Sequence, residues 1–234
     1  MKLGADIELF DGAGNVGQGR IVELGKRDVE VEIENCTFAP NDHHGKLTLA
    51  VALPKGDRQR GTIEKLTELG ADRLIPLDTA FGVAEVNDRN LVRLERYAIE
   101  ACKQCRRNRL LSISEPLNVK SFCDAIRTTA QAGTITWVLH PPGANQKSPS
   151  LNQLSSQFLL QTLPGVVFAI GPEGGFSENE VEAMVQSGGM ILSLGERILR
   201  VETAVAVACT LGSLWLGTAK NEAILDGRSG ENLT

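Results

Sequence analysis

Asp28 to Glu34 read DVEVEIE, a strict alternation of acidic and β-branched positions. That period of two is the pattern of a half-exposed strand with its apolar side turned inward. Ile7 to Phe10 and Gly19 to Leu24 are further strand candidates, and Asp11-Gly12 and Gly14-Asn15 supply turn signals between them. No helical period intervenes, so residues 1–46 are expected to form a small β-sheet or barrel. About 50 residues is little for an independent core.

From Leu47 the pattern changes to alternating strands and helices. Leu47 to Leu53 is an apolar strand ended by Pro54, and Ile63, Leu66 and Leu69 mark a helix face ended by Gly70. Arg73 to Leu77 is a short strand. Asp88 is the expected cap of a long helix with Leu91, Leu94, Ala98, Ala101 and Cys105 on one stripe. A helix over Ser121 to Gln131, a strand over Thr134 to His140, a strand over Gly165 to Ile170, a helix over Glu178 to Gln186 and a strand over Met190 to Leu194 follow. The last helix is expected from Glu202 to Leu216. Its AVAVACTLGSLW segment, Ala204 to Trp215, is apolar nearly all round, so it is either a central core helix or one that also packs against a second subunit. Alternation of this kind predicts α/β architecture with a largely parallel sheet. Residues 141–164 read as a loop and residues 219–234 as a disordered tail.

Composition narrows the class. The chain has 234 residues, 42% hydrophobic and 23% charged, as in a soluble globular protein. No apolar run reaches the ~20 residues of a membrane span, and the start, MKLGADIELFDG, has no apolar leader segment. With five cysteines, an odd number, reduced thiols and a cytoplasmic address are expected. A net charge of −5 argues against a general nucleic-acid coat protein. Yet Lys103, Arg106, Arg107 and Arg109, with Asn108 among them, form a local basic cluster. Either it is the solvated cationic end of a helix or it binds an RNA backbone, and four cations exceed what a helix end requires.

The candidate chemistry lies late in the chain. The apolar strand Val166 to Ile170 runs into GPEGGF, Gly171 to Phe176, followed by the helix-start signal Ser177-x-x-Glu180. Strand, glycine turn, helix is the geometry that presents backbone groups to a cofactor at a strand's carboxyl end. It is neither a P-loop nor a G-x-G-x-x-G turn. A second glycine-hinged loop follows in LSLGERILRVETA, and His140 closes a strand where a doubly wound sheet places its ligands. Cys102 and Cys105 form a C-x-x-C inside a helix with no second ligand pair, so no metal site is expected. No Ser/His/Asp order or H-E-x-x-H motif points to a hydrolase.

Five segments together resemble the RsmE family: GPEGGFSENEVE, LGERILRVETA, the LHP at Leu139 to Pro141, EACKQCRRNR at Glu100 to Arg109, and KGDRQRGTIEKLTELGADRLIPL at Lys55 to Leu77. These are SPOUT-class methyltransferases that use S-adenosylmethionine to methylate N3 of a uridine in small-subunit (16S) ribosomal RNA. The resemblance runs from about Ile7 to Gly217. It implies a SPOUT-type α/β domain with a deep trefoil knot over residues 47–218, preceded by a PUA-like β-barrel domain. Family members carry an earlier β segment before the LFDG of Leu9 to Gly12, so the PUA-like part, residues 1–46, is expected to be N-terminally truncated. That bears on RNA affinity.

The resemblance also implies a site. Cofactor binding is expected from Leu139, His140, Ile170, Gly171, Pro172, Glu173, Gly174, Gly175, Leu194, Gly195, Ile198, Leu199, Arg200 and Thr203. Arg200 is expected to stabilise negative charge on the uracil. Glu202 is either a base or only an acid favoured in the first turn of the last helix. Lys103, Arg106, Arg107, Asn108 and Arg109 are expected to hold RNA. A homodimer acting on the small ribosomal subunit, without metal or membrane, is the implied state. The alternatives are a SPOUT methyltransferase for ribose 2′-O or guanine, and a non-catalytic RNA-binding module.

Overall fold

In the computed structural model, which describes residues 2–38, 43–84, 86–141 and 163–217, the two sequence regimes become two sheets. The first is antiparallel, in the order β1 (Asp6–Phe10), β2 (Asn15–Leu24), β3 (Val29–Phe38). Register places Ile7, Leu9, Ile21, Val31 and Ile33 on one face of it. The expectation that the apolar side of β3 is turned in needs correction. Ile21 is buried, but Val29 and Ile33 are 40% and 50% exposed. A three-stranded sheet has too few neighbours to cover them.

The β1–β2 turn ties this sheet to the rest of the chain. The Asp11 carboxylate accepts hydrogen bonds from the Asn15 side chain and from the backbone N–H of Ala13 and Asn15, which lowers its pKa. Gly12, at φ 78°, lies so close to Leu110 that an added Cβ would sit 2.5 Å from Leu110 Cδ1. Its carbonyl accepts Leu110 N–H at 3.0 Å.

The second sheet has seven strands, all paired in parallel. Its order is β10 (Met190–Leu192), β8 (Ile135–Leu139), β9 (Gly165–Ile170), β4 (Lys46–Val51), β5 (Arg73–Asp78), β6 (Ser112–Ile113), and β7 (Leu117–Asn118) also pairs with β5. The short β6 and β7 carry no period and were not expected. Alternation inside each central strand serves two cores at once. Leu47, Leu49, Val51, Val166, Phe168 and Ile170 face one layer, which holds α1 (Arg58–Glu68), α2 (Asp88–Cys105) and α5 (Val201–Leu216). Ala50, Ala52, Val167 and Ala169 face the other, with α3 (Val119–Gln131) and α4 (Glu178–Gln186).

Boundaries shift by a residue or two. The α2 cap is Asn87, whose side chain accepts Asn90 N–H, rather than Asp88. Strand β10 stops at Leu192, which releases Ser193 and Leu194 into a loop. The α5 helix meets β4, β9 and α1. A Cβ on Gly212 would collide with Leu47 Cδ1, and Trp215 lies against Trp137 and Phe168, with ring centroids 5.8 and 5.7 Å away. Its opposite side leaves Leu214 58% exposed. Most of the expected 141–164 loop and all of the expected 219–234 tail lie outside the described residues.

Candidate functional site

Strands β10, β8 and β9 are parallel neighbours, so their carboxyl ends open side by side. The loop after each one contributes to a cavity of about 210 Å³. Leu139, His140 and Pro141 come from the first loop and Ile170 to Phe176 from the second. The third gives Leu192 to Gly195 and Arg197 to Leu199, and Ala204 of α5 closes the floor. A bond from His140 N–H to the Leu192 carbonyl, 3.1 Å, joins the ends of β8 and β10.

Glycine is required in the second loop for two separate reasons. Gly175 sits at φ 74°, a conformation L side chains rarely adopt, and its N–H closes a turn onto the Pro172 carbonyl at 2.8 Å. Gly171 has no space: a Cβ there would lie 3.1 Å from both the Gly175 carbonyl carbon and the Phe176 nitrogen. Gly195, at φ 120°, opens the third loop as Gly175 does the second, with nothing within 4 Å of an added Cβ.

The second loop is held from both ends. Ser177 and Glu180 form a complete capping box at the start of α4. Glu180 also accepts Ala80 N–H at 2.8 Å, which pins the loop after β5 onto it. Glu173 forms an ion pair with Arg58 at the start of α1. Sequence reasoning did not find Arg58, because its partner lies more than a hundred positions away.

Of the residues expected to bind a cofactor, all line this cavity except Arg200 and Thr203. Those two are exposed at the start of α5, where Arg200 is the cap residue. The Arg200 carbonyl accepts Thr203 and Ala204 N–H. Glu202, in the first helical turn, has a buried Oε2 with no hydrogen-bond partner among the described residues, and His140 Nδ1 is likewise buried and unpartnered. Pro141, Phe176, Leu192, Ser193, Arg197 and Ala204 also line the cavity. They flank the expected positions, so their signal was membership of the same loops.

The basic cluster divides. Lys103 and Arg106 are exposed, and Asn108 and Arg109 are half-buried. The Arg109 guanidinium lies 5.2 Å from the centre of the Phe38 ring. Arg107 is placed differently from the other cations of the cluster. It is 9% exposed, and its guanidinium donates to the carbonyls of Ala71 (2.7 Å) and Gly70 (3.2 Å), with Asp72 Oδ1 at 3.7 Å. It braces the end of α1. Cys102 is buried on its helix face, and among the described residues no group of three or more His, Cys, Asp or Glu side chains could hold a metal. No described helix is long and apolar enough to cross a membrane.

Comparison with known proteins agrees with this geometry. The RNA methyltransferase domain family matches residues 41–213, and the RNA methyltransferase PUA domain family matches residues 1–34. The chain is similar to ribosomal RNA small subunit methyltransferase E of Buchnera aphidicola, at 26% identity over 94% of this chain and 83% of that one. It is also similar to the Synechocystis protein of the same name, at 32% identity over 89% of this chain and 65% of that one. Among solved structures, the Neisseria gonorrhoeae ribosomal RNA small subunit methyltransferase E bound to S-adenosyl methionine superposes with a TM-score of 0.77 at 26% identity. That match covers 92% of this chain and 85% of the other.

Proposed function

The chain belongs to the RsmE family of RNA methyltransferases, and on that premise we propose that it transfers a methyl group from S-adenosylmethionine to N3 of a uridine in small-subunit (16S) ribosomal RNA. The observation that carries this reading is the cavity at the joined carboxyl ends of β10, β8 and β9. Its chemistry suits the cofactor. The backbone at Gly175 and Gly195 can be approached closely, Leu139, Ile170, Leu194 and Leu199 supply apolar walls, and His140 Nδ1 is a buried polar atom without a partner among the described residues. When bound, S-adenosylmethionine supplies an electrophilic methyl group on a sulfonium centre.

This chain's residues have three tasks in that reaction. The loop backbones orient the donor, and the apolar walls exclude water. Glu173 shares its charge with Arg58, so it stabilises the loop as well as facing the cavity. The uridine N3–H is a weak acid, and its anion is the better nucleophile. Arg200, with its backbone fixed at the α5 cap and its side chain exposed, is the cation assigned to the uracil oxygens. Glu202, whose Oε2 lacks a partner among the described residues, is assigned to accept the N3 proton.

Lys103, Arg106, Asn108 and Arg109 are assigned to the RNA. We divide the chain into a PUA-like part at 1–46 and a knotted SPOUT domain at 47–218, and place its action in the cytoplasm with its ribosomal substrate. A homodimer through the outer side of α5 is favoured by exposed Leu214 and half-buried Val207 and Leu211. Light scattering at micromolar concentration that returns only the 25.2 kDa monomer would exclude it.

The activity is tested by incubating the protein with undermethylated small subunits and labelled S-adenosylmethionine, then mapping the modified nucleotide. Label on N3 of a uridine is expected. Label on a ribose 2′-oxygen or a guanine would move the protein to another SPOUT activity. Absence of cofactor binding would leave an RNA-binding module.

A further inference from the structure

Phe81 is an apolar ring left in water on an otherwise well-anchored loop. It is 53% exposed, whereas phenylalanine is ordinarily buried. The loop that carries it is tied down at each step. Gly82 N–H closes a turn onto the Thr79 carbonyl at 2.9 Å, and Ala80 N–H donates to Glu180, whose carboxylate completes the capping box of the helix after the glycine loop. The ring root rests on that glycine loop itself: a Cβ at Gly174 would lie 3.2 Å from Phe81 Cβ and 3.6 Å from its Cγ. Gly174 lines the cavity. The exposed ring is therefore fixed at the edge of the wall that orients the methyl donor.

We propose that Phe81 is a stacking platform for a nucleobase of the RNA substrate. The inference rests on the RNA-methyltransferase reading above and adds a substrate-binding residue to it. The physical requirement is direct. N3 of a uridine is the hydrogen-bonding edge of the base, closed off in a paired and stacked helix. The base must be drawn out before it can meet the methyl group, and each unstacked base gives up its π-stacking. An open ring face beside the donor wall restores that stacking without reading sequence, and it is worth about tenfold or more in affinity per base. A ring carried on a loop that the Ala80–Glu180 bond anchors restores it without the entropy of ordering a mobile loop.

Two variants test this. Phe81→Leu keeps apolar bulk against Gly174 and removes the ring; Phe81→Trp keeps a ring and adds a fluorophore. Native Trp137 and Trp215 are only 2% and 3% exposed, so a new indole at the surface dominates quenching by an added ligand. With a short single-stranded oligouridylate as probe, saturable quenching of the Phe81→Trp variant is expected, and none of comparable size with wild type. With undermethylated small subunits, Phe81→Leu should lower kcat/KM by about tenfold, most of it recovered in Phe81→Trp, while melting temperature and calorimetric S-adenosylmethionine affinity stay at wild-type values. Wild-type kcat/KM in Phe81→Leu, or an indole that oligouridylate does not quench, overturns the proposal. If wild type itself transfers no methyl group, the activity reading fails, and the quenching experiment still decides whether the ring takes a base.

Discussion

Arg107→Ala should destabilise the protein without touching its RNA affinity. The guanidinium is buried and donates two hydrogen bonds of 2.7 and 3.2 Å, to Ala71 and Gly70, with a third at 3.5 Å to Thr67. Hydrogen bonds from a charged donor contribute roughly 1.5–3 kcal/mol each, so the two short ones amount to about 3–6 kcal/mol. The truncated variant also leaves those carbonyls unsatisfied beside Asp72, whose other oxygen is committed to Leu47 N–H at 2.8 Å. In a chain of this size each kcal/mol shifts the midpoint by about 2–4 °C, which predicts a melting temperature lower by roughly 10 °C. Thermal denaturation followed by circular dichroism measures this. The control is Lys103→Ala combined with Arg106→Asn, the asparagine chosen because Arg106 has a left-handed backbone at φ 58°. That pair should melt near wild type and reduce the log–log salt slope of RNA binding by about 0.7–0.9 for each phosphate no longer neutralised. The bracing role is refuted if Arg107→Ala melts within about 2 °C of wild type and instead flattens the salt slope.

Gly171→Ala places a methyl group 3.1 Å from two backbone atoms of its own turn, and overpacking of about 1–3 kcal/mol should lower S-adenosylmethionine affinity by roughly tenfold. Arg200→Ala should keep cofactor binding by calorimetry and slow single-turnover methylation by ~100-fold; equal loss of cofactor binding in both would move Arg200 into the cofactor pocket. Burial pushes the Cys209 thiol up from 9.0 to about 12, against a smaller opposing pull from Arg107. The unfolded chain therefore ionises this thiol at lower pH than the folded one, and the folded state, favoured below pH 9.0, should lose stability as pH rises from there towards 12. A Cys209→Ala variant with an unchanged alkaline stability slope in urea titrations would contradict this.

Much of the fold was legible because its signals are local. The period-two runs at Ile7, Gly19 and Val29, the Gly70 stop and the Ser177–Glu180 capping box each act within a few residues. The alternation of Leu47, Leu49 and Val51 with Ala50 also belongs to one strand, although only the two helical layers show which side receives which. The strands β6 and β7, two residues each, carry too few positions to show any period. The cavity itself was legible as loops, since glycine at Gly171, Gly175 and Gly195 answers to backbone geometry the chain announces locally.

By itself, then, the sequence determined the strand-to-helix alternation, the glycine loops and, through its resemblance, the family. Tertiary structure alone decided which charges act together. Arg58 meets Glu173 and Ala80 meets Glu180 because parallel strands bring distant carboxyl ends to one edge, a relation no local period contains. Arg106 and Arg107 make the point at its smallest scale. They are adjacent and chemically identical, yet the left-handed cap at Arg106 ends α2 and turns the chain, leaving Arg106 in water and sending Arg107 into the carbonyls at the end of α1. The fate of a cation depends on the acceptors that the fold places within its reach, and those acceptors lie just past the end of another helix.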